Sequence, residues 1–506
     1  MNSPSSDKSS IHELPGSNRS LWTALAQQER RYPKLQGQVT VDVAIIGAGI
    51  AGLTTAHELK KAGKRVAVIE ARQVGHQVTG RSNAKITSLH SLIYADLTDR
   101  LGEEKARLYG EANQEAINYI ARTVTDLRID CALERRPAYT VTCDPNRIGE
   151  IEAEVEAAQR LGLPAAMVRQ LDLPYAIQAA VRFDHQGQFN PTAYLTALAG
   201  VVDGDGSFVF EGTRVLDVED GEPARATCQG GEVTARDIVV ATNLPIIPQG
   251  EFHKKAKPRA HLVMAAPIPA DKDLGGMYLN IDAPTHSLRT TPTGGGRMLI
   301  AVGESYSPGK VQDTASMYLA LAGFIRERFE IEPVAYRWAN EDYDSQDRLP
   351  FVGLASRDVK HLHVATGFCS WGITNGTAAG HILSDTLIGR RNDRAELFDA
   401  TREPGKAPNS GSPPKKSEDA AKPQHPDDLK AGEGAVFKKN GQPVAVHRDA
   451  DGRLHAVSAK CTHLGCKVAW NNGEATWDCT CHGSIFAADG TVLHGPAVSD
   501  LERQEV

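Results

Sequence analysis

The stretch VDVAIIGAGIAGLTTAHELKKAGKRVAVIEA, residues 41–71, decides the fold of most of this chain. It continues an apolar run, residues 39–46, that reads as a buried β-strand. Gly47, Gly49 and Gly52 then fall in the spacing GxGxxG. Leu53, Ala56 and Leu59 share one helical face, and residues 65–69 form a second apolar strand closed by Glu70. Each part has a physical task. Gly47 makes a tight turn, Gly49 admits backbone amides to a pyrophosphate, and Gly52 lets the helix pack closely on the strand. The pyrophosphate then rests at the positive end of the helix. Glu70, about 20 residues on, accepts from ribose hydroxyls. The fingerprint alone is weak. Between a strand and a helix, with the acid in place, it predicts a dinucleotide site at Gly47, Ala48, Gly49, Ile50, Ala51, Gly52, Glu70, Ala71 and Arg72. The alternative is a packing turn.

The fingerprint does not choose between FAD and NAD, but three further segments favour FAD. TGRSNAKIT (79–87) is a polar loop placed to run along a long cofactor, with Gly80, Ser82, Asn83, Ala84 and Lys85 as candidate contacts. ARDIVVATNLP (235–245) reads as a buried strand ending in a polar turn at Thr242. HLHVATGFCSWGITNGTAAGHILSDTLIG (361–389) reads as a strand, a Gly-rich turn and a small-residue helix. Gly367, Trp371, Gly372, Thr374, Asn375 and Gly376 present its N-terminus, which can stabilise negative charge on a reduced flavin ring.

On these segments, residues 20–400 resemble the D-amino-acid-oxidase-like family of FAD-dependent oxidoreductases, which includes glycine, sarcosine and glutamylputrescine oxidases. The resemblance implies an α/β, Rossmann-like FAD-binding domain built from residues 39–100, 195–255 and 345–400. An α+β substrate domain is formed by the segments between them. It also implies that Val215 holds the adenine and that Asp347, Pro350 and Gly353 lead towards the flavin. Such enzymes oxidise C–N bonds by hydride transfer without one universal base, so no catalytic residue is named.

Near the end of the chain stand Cys461-Thr-His463 and Cys479-Thr-Cys481-His482. Each half supplies one Cys and one His. Two thiolates on one iron and two imidazoles on the other make the Rieske [2Fe–2S] arrangement. A zinc site is the alternative, but the order CxH…CxxH with HGS argues against it. CTHLGC, CTCHGSIF and Gly495-Pro496-Ala497 resemble the Rieske family. The resemblance implies that Cys461 and Cys479 bind one iron, and His463 and His482 the other. It also implies a disulfide between Cys466 and Cys481. The respiratory proteins carry Tyr where this chain has Phe486. A hydroxyl donor to a cluster sulfur is therefore missing, and the expected potential is below theirs.

The remaining sequence sets the limits. At 506 residues, two or three domains are expected. The net charge of −7 and the lack of a basic block point away from nucleic acid. The polar start is no secretory signal, and no apolar run reaches membrane-spanning length, so the expectation is a cytoplasmic protein. Residues 1–20 read as disordered. Residues 401–426, rich in Pro, Lys and Ser, read as a linker to an all-β Rieske domain at 427–506, whose strands are punctuated by Asn440-Gly441, Asp451-Gly452, Asn472-Gly473 and Asp489-Gly490. Single residues carry less. Cys369 reads as a buried core thiol, His90 as a structural histidine, and Arg259, Arg289 and Arg337 as surface ion pairs, although each arginine can clamp a carboxylate.

Together the halves imply hydride transfer from a small amine or amino acid to FAD. Electrons then pass singly through the cluster to an external carrier. Two alternatives stand beside this: electrons flowing from cluster to FAD and substrate, or a Rieske module that senses redox state or docks a partner.

Overall fold

The computed structural model describes residues 14–26, 31–331, 333–405 and 423–505. Among these residues, strand Gly37–Ile46 runs parallel between Gly231–Val240 and Val66–Ile69. Leu362–Thr366 and Phe208–Phe210 continue the sheet outward on either side, also parallel. Phe351–Leu354 closes one edge antiparallel, and a ribbon of Val215–Glu219 and Ala224–Cys228 extends from Gly231–Val240. Parallel neighbours need crossovers, which is why three distant pieces of chain meet here. Val43–Ile46 and Val66–Ile69 are buried throughout, as strands covered on both faces must be. Helices Ile50–Lys61 and Gly372–Leu387 pack together over this sheet. A Cβ on Gly380 would stand 2.6 Å from Thr54 Cγ2, so small residues permit the close approach.

A second, ten-stranded mixed sheet includes Tyr336–Ser345, Ala256–Ile268, Gly296–Tyr306 and Glu134–Thr142, with helix Thr314–Phe329 packed against it. Strand Lys85–Ile86, expected within the FAD-binding piece 39–100, pairs instead with Gly187 and Gln188 in this sheet. The loop at 79–87 therefore crosses from one sheet to the other.

Residues 14–20 depart from the expected disorder of 1–20. Leu14 is buried, Ser17 and Asn18 pair with Tyr336 and Arg337, and the Arg337 guanidinium donates to the Gly16 carbonyl. Composition hid this, because backbone pairing supplies the order. Residues 1–13 lie outside the described residues, as do 406–422 of the expected linker. Residues 401–405 belong to the larger unit. Arg402 donates to both carboxylate oxygens of Asp347 (3.2 and 3.1 Å) and to the carbonyls of Leu349 and Pro350, and lies over the Phe351 ring. Arg289 and Arg337 also depart from the surface reading. Arg289 is buried, donates to the Ala84 carbonyl at 3.1 Å and lies 5.0 Å from the Trp22 ring centroid.

The C-terminal unit stacks two four-stranded antiparallel sheets. Asn440 and Gly441 turn one hairpin with φ of 50° and 77°, the double positive φ that Asn-Gly favours. Trp470, Trp477 and Phe486 share its core with Cys461 and Cys479. The unit is docked on the larger one. Glu474 accepts from Arg81 (3.1 Å) and from the Tyr318 hydroxyl (2.6 Å), and the Gly473 amide donates to Thr314 Oγ1 (2.9 Å).

Candidate functional site: two centres with a shared wall

A long cavity begins at the turn after strand Gly37–Ile46 and ends at the N-terminus of helix Gly372–Leu387. Gly47, Ala48, Gly49, Ile50, Ala51, Glu70, Ala71 and Arg72 line its first part. Ser82, Asn83, Lys85, Val215, Thr242, Trp371, Gly372 and Thr374 line the rest. Six expected contacts do not line it. Gly52 and Gly80 are packing positions, since a Cβ would stand 2.0 Å from the Gly47 carbonyl oxygen and 1.9 Å from that of Gly75. Gly376 sits under Ile50, with a Cβ position 2.7 Å from its Cγ2, and Gly367 packs on Phe351. Asn375 is turned inward to the Phe368 carbonyl and the Tyr109 hydroxyl. Ala84 is fully buried, its carbonyl held by Arg289. Asp347 serves Arg402 rather than leading to the cavity.

The first part of the cavity is built for an anionic dinucleotide. Gly47 turns with φ of 105°, where a Cβ would strike the Ala241 carbonyl at 2.5 Å. Glu70 accepts from the amides of Ala48 (3.0 Å) and Arg72 (2.9 Å), which fixes the turn beside it. Its burial nevertheless raises its pKa above the usual carboxylate range. Thr79 Oγ1 accepts from the Ile50 amide at 3.2 Å. Arg72 and Arg214 line the wall between this turn and Val215, and desolvation lowers the pKa of both. Desolvated cations beside a helix N-terminus suit a pyrophosphate.

The far end is more polar than the sequence indicates. Lys85 Nζ donates to the Tyr278 carbonyl (2.7 Å) and Ser287 Oγ (2.6 Å), and burial followed by the Arg289 charge lowers its pKa to about 7. Asp342 lines the cavity from strand Tyr336–Ser345. Its Oδ2 accepts from the Ser370 amide at 2.6 Å, while its buried Oδ1 has no partner among the described residues. Burial raises its pKa to about 7. Ser370 Oγ lies 3.3 Å from both Arg259 and His261. His90 is structural. It is buried, bonded to the Tyr109 hydroxyl (2.6 Å) and the Thr87 carbonyl (2.8 Å), and stacked on Trp371. Cys369 is buried, and desolvation raises its pKa to about 12, which makes it an inert core thiol.

The second centre lies at one end of the C-terminal unit. Cys461 and Cys479 are buried in the same core cluster of this unit. The rings of His463 and His482 meet edge to face, 5.1 Å apart. Nδ1 of each histidine is buried without a hydrogen-bond partner among the described residues, as an atom kept free for a metal would be. Burial lowers the pKa of both imidazoles, favouring the neutral form that ligates metals. The donors pair off as two sulfurs and two nitrogens, which fits a two-iron cluster. Cys466 and Cys481 form the disulfide.

The two centres share a wall. Leu493, His494, Gly495, Ala497 and Val498, all from the C-terminal unit, line the dinucleotide cavity. His494 Nε2 lies 3.4 Å from Asn243 Nδ2, and its ring stacks near Tyr343, with centroids 6.5 Å apart. The Tyr343 hydroxyl in turn donates to the His482 carbonyl at 2.8 Å. Sequence reasoning missed Arg214, Asn243, Asn340, Asp342, Ser370 and His494 as lining residues. Arg214 and His494 were signalled, since they precede Val215 and Gly495. Asp342 had no local signal, because its strand is brought in by the second sheet.

Residues 42–386 match the family described as FAD dependent oxidoreductase, and residues 421–504 match the Rieske [2Fe-2S] domain. The chain is 35% identical to "Putative Rieske 2Fe-2S iron-sulfur protein YhfW" of Bacillus subtilis, over 93% of this chain and 95% of that protein. It is 23% identical to the gamma-glutamylputrescine oxidoreductase of Escherichia coli, covering 75% of this chain and 90% of that one. Glycine oxidase from Geobacillus kaustophilus shares the fold, with a TM-score of 0.58 at 18% identity over 72% of this chain and all (100%) of that one. Among the described residues no helix is long and apolar enough to cross a membrane.

Proposed function

The chain belongs to the FAD dependent oxidoreductase family and carries a Rieske [2Fe–2S] domain, and from that premise we propose that it oxidises a small amine or amino acid and delivers the electrons singly to an external carrier. The names of its relatives, a glycine oxidase and a gamma-glutamylputrescine oxidoreductase, support that substrate class. FAD supplies the hydride acceptor and the cluster supplies one-electron transfer. The cavity-lining residues described above would hold FAD, and Cys461 and Cys479 would hold one iron and His463 and His482 the other.

The chain's own groups prepare the substrate. An amine gives up hydride only when its nitrogen is unprotonated, so a base must take the ammonium proton. Asp342 lines the cavity, its Oδ1 is buried without a hydrogen-bond partner among the described residues, and the Ser370 amide fixes the other oxygen. A carboxyl whose pKa is about 7 is matched to that task near neutral pH. Trp371, braced by His90, closes one side of the cavity against water.

The observation that carries the proposal is the shared wall. His494 borders the cavity, and Tyr343 links its neighbourhood to the backbone of His482. The test is anaerobic addition of amines and amino acids to the purified protein. Flavin absorbance should bleach, and the cluster's electron paramagnetic resonance signal should then appear. A cluster that stays oxidised beside fully reduced flavin refutes the proposal.

A further inference from the structure

The cluster end of the C-terminal unit meets solvent through a surface of marked character. Leu464, between ligand His463 and disulfide-bonded Cys466, is 56% exposed, the most of any large apolar side chain among the described residues. One exposed leucine means little by itself. Its surroundings give it meaning. Lys460 and Lys467 flank the CTHLGC loop and are both exposed. On the larger unit, the His253 ring meets His482 at 5.0 Å and His463 at 5.8 Å. Lys257, four residues beyond His253, is exposed and basic. Lys254 is also exposed and pairs with Glu251. The loops 460–467 and 479–486 contain no acidic residue. A chain with a net charge of −7 thus presents exposed lysines on both sides of an apolar tip, next to its two histidine ligands, with Glu251 and Asp500 as the exposed acids nearby.

We propose that this surface, Leu464 flanked by Lys460 and Lys467 with Lys257 on the neighbouring strand of the larger unit, docks an acidic, single-electron carrier protein. The lysines steer an acidic partner and set its orientation, and the desolvated leucine supplies contact. Each encounter moves one electron from the reduced cluster to the oxidised carrier. Two carriers are therefore reduced, and two protons released to water, for each C–N bond oxidised to C=N. This inference rests on the outward direction of electron flow proposed above.

The full-length holoenzyme is reduced anaerobically with dithionite, desalted, and mixed with either of two high-potential carriers. Plant plastocyanin is the acidic probe and horse cytochrome c the basic one. Dithionite reduces both centres, which separates this test from substrate oxidation, the step the anaerobic substrate experiment addresses. Plastocyanin should be reduced faster than cytochrome c at low salt, and its rate should fall at least about 10-fold at high salt. The triple variant Lys257→Glu, Lys460→Glu, Lys467→Glu should lose roughly 10-fold with plastocyanin and gain with cytochrome c. Leu464→Ser should slow plastocyanin at every salt concentration, and Lys105→Glu, a distant charge control, should not. Unchanged resonance and flavin spectra establish that the variants keep their cofactors. A salt-independent plastocyanin rate, or a wild-type preference for cytochrome c, overturns the proposal, and the wild-type comparison decides even if a variant fails to fold.

Discussion

Asp342 carries the clearest consequence at the scale of the single residue. Its pKa is raised to about 7 by burial, from an ordinary value of 3.8. Above that pH it is a carboxylate able to take the substrate's proton, so the rate of flavin reduction should climb as pH rises through about 7. Asp342→Asn should flatten that limb and lower kcat/KM by about 100-fold or more. Stability runs the other way. The native state binds more protons than the unfolded chain between pH 3.8 and about 7, so this residue's contribution is lost as pH rises through that window. The variant, measured by urea unfolding at pH 8, should be the more stable protein. Phe486 offers a second single-residue test, because it packs with both cluster cysteines and has no hydroxyl. Phe486→Tyr should add one hydrogen bond to the cluster. A bond of about 1 kcal/mol favouring the reduced form raises a one-electron potential by roughly 40 mV, readable in a redox titration. The arginines show how position overrides residue type. Arg289 resembles a carboxylate clamp in sequence, yet it is spent on the Ala84 carbonyl and the Trp22 ring.

Elements explain why part of the site was legible and part misread. The strand–turn–helix of residues 37–61 is a local unit, and its glycine spacing reports directly on its geometry. Gly52 allows the helix to touch the turn, and Gly52→Ala would place a Cβ 2.0 Å from the Gly47 carbonyl oxygen. The variant should lose about 1–3 kcal/mol and release FAD, seen as a lower melting temperature and a lower ratio of flavin to protein absorbance. The helix Gly372–Leu387 carries an equally suggestive run of small residues, and they divide between cavity and packing. Gly372 and Thr374 face the cavity, while Gly376 lies against Ile50. A helix alternates its faces every few residues, so a Gly-rich N-terminus serves packing and ligand at once. Which residue does which depends on the partner helix. The disulfide belongs to this scale as well. Cys466–Cys481 closes a loop of sequence separation 15. Cys466→Ser should cost about 3 kcal/mol, measured as a lower unfolding midpoint of the C-terminal unit.

In the whole molecule, the docking of the two units puts residues of the C-terminal unit into the wall of the dinucleotide cavity. Glu474 is the hinge of that contact, nearly buried between Arg81 and Tyr318. Glu474→Ala should loosen the docked unit and slow cluster reduction after flavin bleaching, while flavin reduction by substrate keeps its rate. Stopped-flow absorbance reads both phases, and an unchanged second phase would count against transfer across the shared wall. The sequence by itself determined what short spacing encodes: the dinucleotide turn from Gly47 to Glu70, and the two Cys–His pairs, because chemistry within a loop is written in adjacent residues. Asp342, His494 and the link through Tyr343 were decided only by tertiary structure. Their positions follow from Tyr336–Ser345 pairing with Ala256–Ile268, and from a unit more than a hundred residues away settling against that sheet. Such long-range packing depends on shape and buried area rather than on any local pattern.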